Sequence, residues 1–118
     1  MQPIRLAAAL LLALACATAA AGPRVVASIA PVHSLVAGVT GEITAAHLLV
    51  PGGRSPHTYA LAPSDTRALA RAQAVFLAGG SSERFLERPL QSLAGDSAVL
   101  RMAPADGIRQ LATRRDSR

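Results

Sequence analysis

The three histidines are the side chains of this sequence best suited to chemistry, and each lies differently relative to the apolar runs. His33 comes just after the apolar run 24–30, His57 follows the run that ends at Val50, and His47 lies inside that second run. In an open parallel sheet, ligands bind outside the carboxyl ends of the strands. If the runs are such strands, His33 and His57 are placed to meet a ligand.

His57 is the most informative of the three, because imidazole is a common zinc ligand when it is neutral and held in orientation. The preceding turn Pro51-Gly52-Gly53 and the adjacent Pro56 would hold its side chain with little entropy to lose. Zinc needs four donors, or three with one open position, so the residues alone leave His57 open between a metal ligand and an exposed loop histidine. For His33 the alternative is a local hydrogen bond at a helix start, and for His47 a packed or edge-exposed position.

The sequence lacks the residues and motifs on which common classes of enzyme depend. Cys16 is the only cysteine, the chain has no lysine for a nucleotide-binding P-loop, and neither G-x-S-x-G nor G-x-G-x-x-G occurs. The segments Gly52-Gly53 and Gly79-Gly80 are typical of turns after strands. We therefore expect a protein that is not an enzyme.

The apolar patterns predict alternating strands and helices. Strands are predicted at 24–30, 43–50, 74–78 and 98–102, and helices at 32–39, 64–73 and 83–93. This order implies right-handed βαβ crossovers and a parallel sheet with helices on both faces, its strands buried on both sides. The predicted fold class is therefore α/β.

Each predicted helix has its own start signal and its own buried face. The first has Pro31 in its first turn and a face made of Val32, Leu35, Val36 and Val39. Ser64 is the predicted N-cap of the second helix, with Asp65 favouring its dipole. Ser82 is the predicted cap of the third, which buries Phe85, Leu86 and Leu90 and which Pro89 should kink or divide.

The two ends of the chain differ from this pattern. Residues 1–21 have one positive charge at Arg5, an apolar core and small residues at Ala19 and Ala21, which predicts a secretory signal peptide cut after Ala21. The apolar core is shorter than the roughly 20 residues of a membrane span. Lipid attachment at Cys16 is disfavoured because Ala13 stands where a leucine is expected. We expect one α/β lobe over 22–108 and a polar tail over 109–118.

Composition and charge exclude further classes. A chain of 118 residues with 51% hydrophobic and 16% charged residues fits one globular domain and not a disordered chain. The net charge of +5 comes from arginines spread along the sequence, and only 3% of residues are aromatic. Nucleic-acid binding requires a basic stripe, and single-strand binding adds stacking aromatics, so no nucleic-acid partner is expected.

Several segments resemble the start of a known family. Residues 26–36, 48–53 and 55–65, which contain the box Pro56-His57-Thr58-Tyr59 and then Pro63-Ser64-Asp65, resemble the zinc-specific periplasmic solute-binding proteins of ABC transporters (ZnuA-type, within the zinc/manganese cluster). The similarity continues through 72–76 and 83–90 and so covers nearly all of the expected mature chain.

The resemblance implies a role for His57. In this family the equivalent histidine is a metal ligand in a cleft between two α/β lobes, and the protein captures Zn²⁺ in the periplasm and passes it to a membrane permease driven by an ATPase. Some members carry an acidic residue just before this histidine, but here Pro56 stands there and supplies no donor. His33 matches a common family position that is not a ligand.

The resemblance also implies that this chain corresponds to the N-terminal lobe only. Family members are far longer, with a His/acidic-rich loop, further histidine ligands and a second, C-terminal lobe that completes the site. We therefore expect a fragment truncated within 109–118 that retains one ligand. The alternatives are a manganese- or iron-binding relative, whose deciding ligands would lie in the second lobe, and a non-functional truncated remnant or exported interaction module.

Overall fold

The computed structural model describes residues 22–112, in which strands and helices alternate. In chain order the elements are β1 (Val25–Ile29), α1 (Ala30–Thr40), β2 (His47–Val50), α2 (Pro63–Arg71), β3 (Ala74–Leu77), α3 (Glu87–Leu93) and β4 (Ala98–Arg101). A first 3-10 helix (Pro56–Thr58) follows β2, and a second (Ser81–Leu86) follows β3. The predicted α/β class is confirmed.

The four strands form one parallel sheet in the order β2-β1-β3-β4. Val26 of β1 lies opposite His47 of β2, while Val25 lies opposite Ala74 of β3. The chain thus leaves β1 toward one side to form β2 and then crosses to the other side to form β3. This reversal makes the carboxyl ends of β1 and β3 the switch point of the sheet, where such folds place ligands.

The core has two layers, one on each face of the sheet. Alternate residues of β1 serve the two faces, with Val26 on one and Val25 and Ala27 on the other. Helices α2 and α3 cover the first face, and α1 covers the second, as predicted. The buried residues of the helical layers are Leu69, Leu86, Leu90 and, directly after α3, Ala94 on the first face, and Val32 and Val36 on the second.

The buried face of α1 is narrower than predicted. Val32 and Val36 are buried, but Leu35 is 59% exposed and Val39 is 87% exposed. The side chains at i and i+4 meet the sheet, whereas those at i+3 and i+7 lie on the flank of the helix, where nothing else among residues 22–112 covers them. The prediction of a four-residue buried face was wrong for Leu35 and Val39.

Two strands also differ from the prediction. The second strand begins at His47, not at residue 43, because Ile43 is 75% exposed and Thr44 instead donates a hydrogen bond from Oγ1 to the carbonyl of Pro23 (2.7 Å). Strand β4 is an edge strand and is largely exposed, with Leu100 at 46%. It is not buried on both sides.

The helix starts follow from the prolines and acids near them. Helix α2 begins at Pro63, so Ser64 is not its cap; the carboxylate of Asp65 instead accepts a hydrogen bond from the Ala62 N–H (2.9 Å). The predicted division of the third helix is confirmed, because a 3-10 helix precedes α3. Pro89 lies in the first turn of α3, where an N–H has no intrahelical partner and its loss is tolerated.

The ends of the chain are only partly described. The predicted signal peptide at 1–21 lies outside the described residues, and so does 113–118 of the predicted tail. Residues 109–112 have neither helix nor strand, as predicted. Within 22–112, no helix has the length and apolar character needed to cross a membrane.

Candidate metal-binding site

His57 is exposed on the first 3-10 helix and lines an open cleft of about 370 Å³. One wall of the cleft is formed by Pro56 and His57, and the other by the second 3-10 helix. The residues on that second wall are Ser81, Ser82, Arg84 and Phe85. Because the two helices follow β2 and β3, which flank β1, the cleft lies at the carboxyl-terminal edge of the sheet.

The turn that carries His57 is fixed by its local sequence. Gly53 adopts a φ of +83°, which glycine reaches at little cost, and the Arg54 N–H donates to the Pro51 carbonyl at 3.3 Å. Pro56 suits the first position of the 3-10 helix, which the Thr58 N–H closes by donating to the Ser55 carbonyl at 3.3 Å. The predicted loop is thus a short ordered turn that presents the imidazole.

Asp65 holds the far end of this turn. Its buried carboxylate accepts hydrogen bonds from the Tyr59 hydroxyl (2.9 Å) and the Ala62 N–H (2.9 Å), and it lies 2.8 Å from Nε2 of His47. Tyr59 is only two residues after His57. Asp65 therefore ties β2, the His57 turn and the start of α2 to one another.

These contacts change the acidity of both partners. Burial is the largest influence on Asp65 and would raise its pKa, but the hydrogen bonds from His47, Ala62 and Tyr59, with the charge of His47, together lower it. The pKa of Tyr59 is raised, first by its hydrogen bond to Asp65 and then by burial and the carboxylate charge, against a smaller opposing effect of Arg54. Asp65 is therefore an acceptor at neutral pH.

Glu83 holds the second wall. It is 5% exposed, and its carboxylate accepts hydrogen bonds from the Ser28 hydroxyl of β1 and from the N–H groups of Ala78 (2.9 Å) and Gly79 (2.6 Å). Ser28 is itself fully buried. The carboxylate thus occupies the switch point between β1 and β3.

The two walls contact each other through aromatic side chains. The rings of Tyr59 and Phe85 meet edge to face, with centroids 6.2 Å apart and planes at 74°. This is one of the favoured geometries of an aromatic pair. Phe85 belongs to the second 3-10 helix and Tyr59 follows the first, so this contact joins the two walls of the cleft.

The other two histidines have structural partners and lie away from the cleft. Nε2 of His33 lies 3.0 Å from the carbonyl of Ala46, so its partner is a structural one, as in the alternative role, but lies 13 residues away and not in the local turn that was expected. His47 begins β2 and is engaged by Asp65. Within 22–112, no three His, Cys, Asp or Glu side chains are grouped so that they could hold a metal ion. In the cleft, His57 is thus a single potential nitrogen ligand for a metal ion. Its neighbours there are the hydroxyls of Ser81 and Ser82 and the guanidinium of Arg84.

Two residues that shape this site, Asp65 and Glu83, were not expected from the sequence to do so. Glu83 received no role, although an acidic residue in the first turn after Gly80 is a common acceptor for free N–H groups. Asp65 was assigned only to the dipole of α2, whereas its main partners are His47 and Tyr59.

Comparison with known proteins identifies relatives over most of the chain. Residues 25–118 match the family described as ZnuA, zinc-uptake complex component A, periplasmic. The chain is 39% identical over 98 residues to the high-affinity zinc uptake system protein ZnuA of Brucella abortus, covering 81% of this chain and 29% of that protein. It is also 39% identical over 99 residues to the protein of that name from Yersinia pestis, covering 84% of this chain and 30% of that protein.

Solved structures share the fold. The crystal structure of a zinc-bound ZnuA deletion mutant superposes with a TM-score of 0.65 at 28% identity, over 76% of this chain and 34% of that one. The Mn-bound periplasmic metal-binding protein of Candidatus Liberibacter asiaticus gives a TM-score of 0.65 at 17% identity, over 79% and 34% of the two chains, and this likeness concerns the fold alone.

These matches agree with the resemblance seen in the sequence. The chain spans about three-tenths of the length of the curated relatives it matches. Since the family match covers residues 25–118, this chain belongs to the ZnuA family of periplasmic zinc-uptake components.

Proposed function

We propose that this chain acts in periplasmic zinc capture and that His57 is one of the zinc ligands. The observation that carries the proposal is an exposed imidazole, held on a short ordered turn, at the carboxyl edge of a parallel sheet in a ZnuA-family chain. Ligands of this fold class bind at that edge. The relatives named above, which are zinc uptake proteins, make Zn²⁺ the expected cargo.

The remaining zinc donors would come from outside residues 22–112. One imidazole with hydroxyl groups and water is a poor site, because zinc in proteins takes three or four N, S or O donors. His57 is exposed, so a second lobe could bring its own ligands to it. Affinity depends on the complete ligand set, and separating two lobes would then release the ion.

Release of that kind suits delivery to a transporter. The proposed partners are the membrane permease and the ATPase of a zinc ABC transporter, and the proposed location is the periplasm after removal of residues 1–21. Binding and release need no reactive side chain, and the cleft offers only an imidazole, hydroxyls and a guanidinium. The proposed activity is therefore binding and not catalysis.

Direct titration tests the role of His57. In NMR spectra of the chain, Zn²⁺ should shift the His57 ring resonances saturably while those of His33 move little. His57→Ala should abolish saturable binding, and His33→Gln, which keeps a hydrogen-bonding side chain, should leave it unchanged. Shifts centred on His33 or His47, or binding that survives His57→Ala, would overturn the assignment.

A chimaera tests the complete function. Residues 25–112 would replace the matching segment of the Brucella abortus ZnuA, and zinc binding would be measured by calorimetry. We expect affinity within about tenfold of the parent and a loss of at least about 100-fold on His57→Ala, more than the 10–100-fold typical of outer-shell changes. A chimaera that does not bind Zn²⁺ would contradict the proposal and favour a non-functional remnant.

A further inference from the structure

We propose that Glu83 is a positioning residue for the metal site, because it fixes the second wall of the cleft and through that wall the orientation of His57. The inference rests on the proposed function, since it concerns the geometry in which His57 meets zinc. It concerns a residue that does not line the cleft itself.

The first step is the burial of the Glu83 carboxylate. At 5% exposure it must be compensated inside the protein, because a buried charge without partners is costly. Its partners are all hydrogen-bond donors, namely the Ser28 hydroxyl and the N–H groups of Ala78 and Gly79. Within the described part of the chain, no arginine or histidine forms a salt bridge with Glu83, so no cation shares this role.

The second step is what those donors connect. Ser28 lies in β1, Ala78 and Gly79 follow the end of β3, and Glu83 is in the second 3-10 helix. A single carboxylate thus fastens the helix to two adjacent strands at the switch point. Short 3-10 helices have poor hydrogen-bond geometry and little stability of their own, so this wall depends on the contact.

The third step leads from the wall to His57. Ser82, Arg84 and Phe85 are next to Glu83 in the chain and line the cleft. Phe85 packs edge to face on Tyr59, which is two residues from His57 and is anchored by Asp65. If the helix shifts, Phe85 moves, and the turn that orients the imidazole loses its support on that side.

Glu83→Gln is the informative variant. The amide keeps the shape of the side chain and one acceptor oxygen, but its NH₂ group would face an N–H donor of Ala78 or Gly79. Outer-shell changes typically weaken metal binding by 10–100-fold, and we expect the Zn²⁺ dissociation constant measured at the His57 ring to rise about tenfold. Amide exchange at Ala78 or Gly79, whichever N–H faces the NH₂ group, should also become about tenfold faster, because that N–H loses its acceptor.

Glu87→Gln is the matched control. It removes the same charge four residues later, from an exposed side chain at the start of α3, and it should alter neither zinc affinity nor exchange. Ser28→Ala removes one of the three donors and leaves the carboxylate with two, so it should weaken zinc binding in the same direction by a smaller factor. If Glu83→Gln fails to fold, Ser28→Ala tests the proposal instead.

The measurements are made under conditions in which every variant is fully folded. A loss of stability alone then does not change the measured zinc affinity. Wild-type zinc affinity and wild-type His57 resonances in Glu83→Gln would overturn the proposal, and so would an equal loss in Glu87→Gln. If the wild-type chain alone does not bind zinc at His57, the chimaera described above tests the ligand role of His57. In that case the His57 ring resonances of the metal-free protein test the role of Glu83. Their chemical shifts should change in Glu83→Gln and stay the same in Glu87→Gln.

Discussion

Asp65 shows how one side chain can serve fold and site together. Its carboxylate has three partners from separate parts of the chain: the His47 ring, the Tyr59 hydroxyl and the Ala62 N–H. Hydrogen bonds to a charged acceptor are roughly twice as strong as neutral ones. Asp65 is the last residue of the box that begins at Pro56. Through its hydrogen bond from Tyr59 it therefore holds the two ends of the box together.

Replacing Asp65 by Asn should destabilise the protein in a pH-dependent way. Asn keeps one acceptor oxygen for three partners, and an unsatisfied buried group costs about 1–3 kcal/mol, so we expect that loss in the free energy of unfolding at pH 7. The folded pKa of Asp65 lies below its ordinary value of 3.8. Its stabilising contribution is thus complete above pH 3.8 and is lost as the pH falls through the folded pKa.

Urea unfolding at several pH values measures this effect. The difference between wild type and Asp65→Asn should narrow as the pH falls below about 3.8, the ordinary pKa. Asp96→Asn, at an exposed position before β4, should stay within about 0.5 kcal/mol of wild type, as is usual for surface changes. Curves for Asp65→Asn and wild type that stay parallel down to pH 2 would contradict the assigned role.

At the scale of elements, the turn after β3 is the most constrained connection at the site. Gly79 has a φ of +90°, and its N–H is bound by Glu83. A Cβ built there would lie 3.0 Å from Cδ of Pro104 and 3.3 Å from Cβ of Arg101. Glycine is therefore required for its backbone conformation and for the close approach of the chain that follows β4.

Gly79→Ala should accordingly lower the free energy of unfolding by about 1–3 kcal/mol, the usual cost of a non-glycine residue in a disfavoured backbone region. Gly95→Ala is the matched control, because a Cβ at Gly95 has no neighbour within 4 Å. It should change stability by less than about 1 kcal/mol. Chemical denaturation of the two variants compares them directly, and equal stability of both would show that the turn can adapt.

The element order could be predicted from the sequence because it depends on local patterns. Apolar runs and prolines mark β1, α1 and β3 within a few residues of their true bounds. The contact between Ser28 and Glu83 spans 55 positions, and no local pattern indicates it. The role proposed for His57 came from its box motif, whereas the residues that support it are distant in sequence and become visible only when the sheet brings β1 and β3 together.

At the scale of the whole molecule, α1 has an apolar flank that residues 22–112 leave uncovered. His33 faces the chain before β2, and at 3.6 residues per turn Leu35 lies on the other side of the helix, toward β3 and β4. Leu100 of β4, opposite Phe76 in the sheet, is 46% exposed. Periodicity alone predicted that Leu35 and Val39 are buried. It fails here because it shows which residues are apolar and not how much of the helix the sheet covers.

An exposed apolar flank of this kind should promote self-association of the chain at high concentration, since contiguous apolar patches are common contact surfaces. Replacing Leu35 and Val39 together by Gln should keep the protein monomeric in sedimentation velocity at concentrations where the wild type shows a rising mass. The free energy of unfolding should fall by no more than about 1 kcal/mol, because both side chains are mostly exposed.

Ile108→Gln is the control. It removes an exposed apolar residue elsewhere, at 58% exposure, and should leave association unchanged. Equal association of the double variant and wild type would show that this flank is not the contact surface, and a large loss of stability would show that Leu35 and Val39 pack more closely than their exposure indicates.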